Sequence, residues 1–241
     1  MLRSGYILRN LLIFLACIFT AIFEAFGAQD PGSINNRKLK VAILGASFNP
    51  ITNGHLQMVD FLIEYGGFDK VWLMPAYGHT VKNLDEGTTL LNHRIAMVEV
   101  AIEGREDVSL FDYEVRHKLS GSTLETFQLL KKDTVYRNYD FFFVIGADNA
   151  IDIHRWVNYQ QLVAEVNFVV VPRVGYDFSS IDKSIWDFKE RHLYLDHAIG
   201  PYSGVSSSLV RNLVKIGDYK KINELVPKKV SQYIDSHNLY R

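Results

Sequence analysis

From Lys38 onward, five short apolar runs, VAILG, KVWLMP, VSLFDYEV, FFFVIG and NFVVVP, alternate with longer segments whose apolar residues fall at helical spacing. A run of four to eight apolar residues rich in Val, Ile and Phe suits a strand buried on both faces. Strands separated by helix-length segments must cross over before they pair again. The alternation therefore predicts an α/β fold: a doubly wound parallel sheet with helices on both faces. Helices are expected over 54–65, where Leu56, Val59, Leu62 and Ile63 share a face, and over 90–103, 122–132 and 158–166. From Ser206 the chain reads as a short C-terminal helical segment with breaks near Gly217 and Pro227.

A chain of 241 residues can bury a sizeable core, and one domain over residues 38–241 accommodates every strand. Residues 29–37, QDPGSINNR, read as a polar linker. Residues 1–28 differ from the rest: Arg3 and Arg9 precede an uncharged run from Leu11 to Phe23, and small residues follow at Ala25, Gly27 and Ala28. This is a signal-peptide layout, with a run shorter than the roughly 20 residues of a spanning helix. Export or membrane association through residues 1–28 stands beside an upstream start on a cytoplasmic domain. A net charge of -1 supplies no basic excess for gripping a polyanion, so no nucleic-acid partner is expected. The one cysteine, Cys17, excludes internal disulfides and cysteine-built zinc sites. The oligomeric state stays open, a homo-oligomer included.

GASFNPITNGH, residues 45–55, follows the first strand directly. Gly45 permits a close approach or an unusual backbone, Pro50 stiffens the turn, and Thr52 and Asn53 are candidate caps for the next helix. Gly54 and His55 then lie in the first helical turn, where free amides and the positive helix end favour an anion. Alone, such a histidine is more often a solvated or capping group than a catalytic one. Far downstream, GVSSSLVR, residues 204–211, sets three serines at a helix start with Arg211 about one turn later, an arrangement that caps a helix or grips phosphate.

Together these strings resemble the signatures of the HxGH-type nucleotidyltransferase superfamily, with Thr52-Asn53-Gly54-His55 at the HxGH motif, so that threonine replaces the first histidine, and GVSSSLVR at the ISSTxxR element. The first loop and VSSSLV are similar to phosphopantetheine adenylyltransferases. VWLMPAY, HRIAMVEVAI, FFFVIGADNAIDIHRWV, VVVPRVGYD and the ending VPKKVSQYIDSHNLY resemble the nicotinate/nicotinamide mononucleotide adenylyltransferase family, over residues 40–241.

That resemblance implies a Rossmann-like fold and transfer of AMP from ATP to a pyridine mononucleotide, giving an NAD-type dinucleotide and pyrophosphate. It implies that Gly45, Ser47, Phe48, Thr52 and Gly54 line the ATP phosphates. His55 would bond to the reacting phosphate as a catalytic residue, and Ser206, Ser207 and Arg211 would hold the β and γ phosphates, Arg211 also acting in catalysis. Gly146, Ala147 and Asp148 match a GAD motif whose aspartate meets ribose hydroxyls, while Lys82, Thr123 and Trp156 match mononucleotide-binding positions. Mg2+ would be carried mainly by the ATP phosphates, with no protein metal site. MPAYGHTVKN departs from the bacterial P-P-H-K loop, which leaves nicotinate or nicotinamide open. A phosphopantetheine adenylyltransferase and a catalytically idle nucleotide-binding module are the alternatives.

Overall fold

The computed structural model describes residues 37–78, 88–188, 191–197, 200–201 and 204–241. Residues 1–28, most of the linker and Lys82 lie outside the described residues. Lys38–Arg241 forms one compact unit. None of the described helices is long and apolar enough to cross a membrane.

Strands β1 (Leu39–Ala46), β2 (Lys70–Pro75), β3 (Val108–Leu110), β4 (Tyr139–Gly146), β5 (Asn167–Val171) and β6 (Leu193–Tyr194) form one sheet in the order β3-β2-β1-β4-β5-β6. Every pairing is parallel. Ile43 at the centre of β1 faces Trp72 of β2 on one side and Phe143 of β4 on the other. The chain thus winds outward from β1 through β2 to β3 and then returns to β4. The crevice between the carboxyl ends of β1 and β4 is the switch point where such sheets bind ligands.

The apolar runs alternate their side chains between two cores. Phe142 and Val144 of β4 and Val169 and Val171 of β5 enter one core; Phe143, Ile145, Phe168 and Val170 enter the other. The first core is closed by α1 (Asn53–Gly66), α2 (Thr88–Ile102) and the helices α7 (Ser207–Lys215), α8 (Tyr219–Leu225) and α9 (Lys228–Ser236). The second is closed by α3 (Tyr113–His117), α4 (Thr123–Lys132), α5 (Ala147–Ile151) and α6 (Tyr159–Glu165). The C-terminal helices break at Gly217, whose φ is 74°, and before Pro227, the N-cap of α9, as their sequence implied.

Two elements differ from the sequence reading. VSLFDYEV is a strand only to Leu110, and its second half turns into α3, where Tyr113 and Glu114 are buried and Arg116 pairs with Asp112 one turn back at 2.7 Å. Strand β6 was not foreseen, because two paired residues leave no apolar run to detect. Beside β6, His192 is fixed inside the protein, its Nδ1 accepting the Phe168 amide at 3.2 Å.

Burial lowers the His192 pKa to about 4, the Arg191 charge acting in the same direction and Asp187 opposing it. Because the unfolded chain takes up this proton near pH 6.5 and the folded chain near 4, stability is full above pH 6.5 and is lost as pH falls toward 4. Thermal melts from pH 7.5 to 4.5 should show a steady drop in Tm beginning near pH 6.5, with a shallower slope in His192→Gln.

Candidate active site

The loop from Ser47 to Thr52 joins the end of β1 to α1 directly above the switch point. Phe48 holds a left-handed backbone (φ 48°), and the Asn49–Pro50 bond is cis. The Phe48 ring is fully buried and meets the His55 imidazole edge-on, centroids 5.1 Å apart. Arg94 of α2, also buried, donates to Ser47 O at 2.6 Å and to Ala76 O at 2.9 Å, so one guanidinium ties the exit of β1 to the exit of β2. Its burial and its two carbonyl partners make it a structural residue.

Thr52 is the N-cap of α1, and its main-chain amide donates to His55 Nδ1 at 3.0 Å; its hydroxyl lies 2.9 Å from the same nitrogen. An amide N–H can only donate, so Nδ1 accepts and the neutral ring is assigned its hydrogen on Nε2. Burial and then the charge of Arg173 lower the His55 pKa to about 4, which keeps the ring neutral at physiological pH. The result is a fixed Nε2–H donor at a helix start, free of a charge that the positive helix end would oppose.

Thr52 is 0% exposed and spends its amide and hydroxyl on His55. The buried Phe48 ring likewise lines the histidine, leaving only its backbone to face the loop. Gly45 lies within β1, and a Cβ there would come within 2.8 Å of the Phe143 ring, so its glycine serves close packing with β4. Gly54 sits in the first turn of α1, as expected.

The second element of the sequence reading docks onto the first. Ser206 caps α7, its hydroxyl accepting the Leu209 amide at 3.2 Å. Ser207 Oγ donates to Pro50 O at 2.8 Å, and Arg211 Nη1 donates to Asn49 O at 2.8 Å while Nη2 donates to Ser208 Oγ at 3.1 Å. The helix start, the arginine fork and the loop carrying His55 therefore form one wall.

Across the crevice, β4 ends at Gly146, Ala147 is buried, and Asp148 stands in the first turn of α5. The Asp148 carboxylate lies over Gly146, where a Cβ would collide with Oδ1. Oδ1 is buried without a hydrogen-bond partner, while Oδ2 lies 4.0 Å from Arg173 Nε. A dry, unpaired carboxylate oxygen is costly and suits a ligand hydroxyl donor. Arg173 enters the site because it lies just past the end of β5 and sits in a turn closed by its bridge to Tyr176, with Gly175 at φ 84°. Its side chain is 53% exposed, and its signal in the sequence was its position just past a strand end. Thr123 is the first residue of α4, after the capping Ser122, and half-buried Trp156 packs along one edge of the second core and leaves part of its ring open.

This fold and site define a nucleotidyltransferase: residues 43–213 match the cytidylyltransferase-like family. A probable nicotinate-nucleotide adenylyltransferase of Clostridium tetani is 34% identical over 206 residues, 84% of this chain and 99% of its own length. One of Streptococcus mutans is 32% identical, covering 91% of this chain and 96% of its own length. Among solved structures, the Plasmodium falciparum nicotinic acid mononucleotide adenylyltransferase complexed with NaAD shares the fold, with a TM-score of 0.67 at 24% identity over 84% of this chain and 97% of that one. The chain belongs to the nicotinate-nucleotide adenylyltransferase family.

Two outcomes test the geometry. Nitrogen NMR should find His55 protonated only at Nε2 at pH 7 and titrating near pH 4, with the midpoint higher in Arg173→Gln. Gly146→Ala should displace the Asp148 carboxylate and weaken ATP binding at least about tenfold, as loss of a charge-assisted hydrogen bond would, with little change in far-UV circular dichroism.

Proposed function

We propose that the chain transfers AMP from ATP to nicotinate mononucleotide, giving the dinucleotide and pyrophosphate, a step of NAD biosynthesis. The observation that carries this reading is the join between the two motif segments, in which Arg211 and Ser207 hold the carbonyls of the loop that presents His55. The names of the relatives favour the nicotinate form.

In this reading an anionic oxygen of the mononucleotide phosphate attacks the α-phosphorus of ATP. A new P–O bond forms, the α-phosphorus to β-bridging-oxygen bond breaks, and its electron pair leaves on pyrophosphate. The nucleophile is already ionised, so no general base is needed, and rate comes from alignment and from charge stabilisation. His55 Nε2–H donates to the reacting phosphate, while Arg211 and the first amides of α7 receive the charge on the departing pyrophosphate. Asp148 Oδ1 accepts from a ribose hydroxyl, Arg173 adds a second cation beside the phosphates, and Thr123 and Trp156 face the mononucleotide. Lys82 keeps its assigned mononucleotide role on sequence grounds alone.

Magnesium enters as the ATP complex. Among the described residues no three His, Cys, Asp or Glu side chains converge as a metal-ligating group. Use of ATP assigns the catalytic domain to the cytoplasm.

With ATP, Mg2+ and either pyridine mononucleotide, the purified domain should release pyrophosphate and form dinucleotide, with the higher kcat/KM for nicotinate mononucleotide. Absence of product with both would overturn the reading, and turnover of phosphopantetheine instead would replace it. His55→Ala should lower kcat about 10²- to 10³-fold, the range for removing one transition-state hydrogen-bond donor.

A further inference from the structure

The tail after α9 reaches back to the loop that carries His55. Asn238 and Tyr240 both adopt left-handed backbones, with φ of 52° and 66°, and between them Leu239 is buried in the first core, its amide donating to Ile234 O at 3.0 Å. The reversal directs the Tyr240 ring against the same core and its hydroxyl onto Asn49 Oδ1 at 2.6 Å. Asn49 is itself 5% exposed, and its main-chain oxygen is the acceptor of Arg211 Nη1. One residue therefore takes a hydrogen bond from the tail on its side chain and one from the arginine on its backbone. Helix α9 is fastened independently, through the His93 Nδ1 to Tyr233 hydroxyl contact at 2.9 Å and the Lys229–Glu103 pair at 2.5 Å. The tail can thus stay docked when the Tyr240 hydroxyl is removed.

We propose that Tyr240 is a positioning residue for phosphate binding: by holding the Asn49 side chain, its hydroxyl fixes the carbonyl that aims the Arg211 guanidinium. This rests on the adenylyltransferase reading only in taking Arg211 as a phosphate ligand. Losing the bond from the tail would loosen the Asn49 residue on its side-chain side, and the fork would lose the firm setting of its acceptor. The ring of Tyr240 supplies packing; the hydroxyl supplies direction. The two contributions separate on substitution to phenylalanine.

The test is calorimetric binding of ATP and of adenosine to wild type and Tyr240→Phe, with steady-state kinetics alongside. The variant should bind ATP about fivefold to tenfold more weakly, the worth of one hydrogen bond, and adenosine as wild type does. KM for ATP should rise by the same factor, while KM for the mononucleotide and Tm stay near wild type. In a double-mutant cycle with Asn49→Ala, the two losses in ATP affinity should not add, because both break the same link.

Equal weakening of ATP and adenosine, additive losses, or unchanged ATP affinity would each overturn the proposal. If Tyr240→Phe does not fold, Asn49→Ala alone decides by the same ATP-to-adenosine comparison. A wild-type chain that binds ATP but forms no dinucleotide would defeat the proposed reaction and leave this binding test standing.

Discussion

The hydrogen bonds from Ser207 and Arg211 to the carbonyl oxygens of Pro50 and Asn49 join stretches of chain that lie 157 and 162 residues apart. Everything that faces the crevice from the β1 side depends on that join. Without it, the loop would present His55 at the end of a turn tied by Arg94 and by Tyr240 but not to α7, which would have its cap but no fixed relation to the histidine. Donors that face one ligand must keep a constant spacing, and loops keep it only when tied across the gap between them. The chain accomplishes this with main-chain acceptors, one of which belongs to the residue that Tyr240 holds by its side chain.

Electrostatics in the crevice follow from the same arrangement. A histidine in a first helical turn beside an arginine stays neutral because burial and both positive neighbours oppose its proton. Neutrality leaves one hydrogen to aim, and the Thr52 amide decides that it sits on Nε2. Threonine in place of a histidine at this position therefore leaves the second histidine both its tautomer and its direction. The cationic part of the site is left to Arg173 and Arg211.

The parallel sheet, its crossovers and the breaks at Gly217 and Pro227 were legible because apolar periodicity and glycine or proline punctuation act locally. VSLFDYEV misled because its second half has a strand-like composition while Asp112 and Arg116, the residue just past the run, are spaced for a helix, and tertiary burial of Tyr113 and Glu114 decided between them. At the site, His55, Asp148 and Arg211 were legible from short motifs. The burial of Thr52 and Phe48 was not, since a motif gives residue order and not depth. Nor was the role of Tyr240, whose partner Asn49 is 191 residues away. The place of Arg173 beside Asp148 was not legible either, because nothing in the string PRVG records which neighbours the sheet will bring beside it.

The unpaired Oδ1 of Asp148 has a bearing on selectivity. A buried acceptor left dry penalises any occupant that fails to satisfy it more than it rewards one that does. Under the proposed reaction, with a ribose hydroxyl seated on this oxygen, the crevice between β1 and β4 would discriminate against a deoxy-nucleotide of identical base and phosphates. Gly146 sets the height of that barrier, because only a residue without a side chain lets the carboxylate lie flat against the strand end.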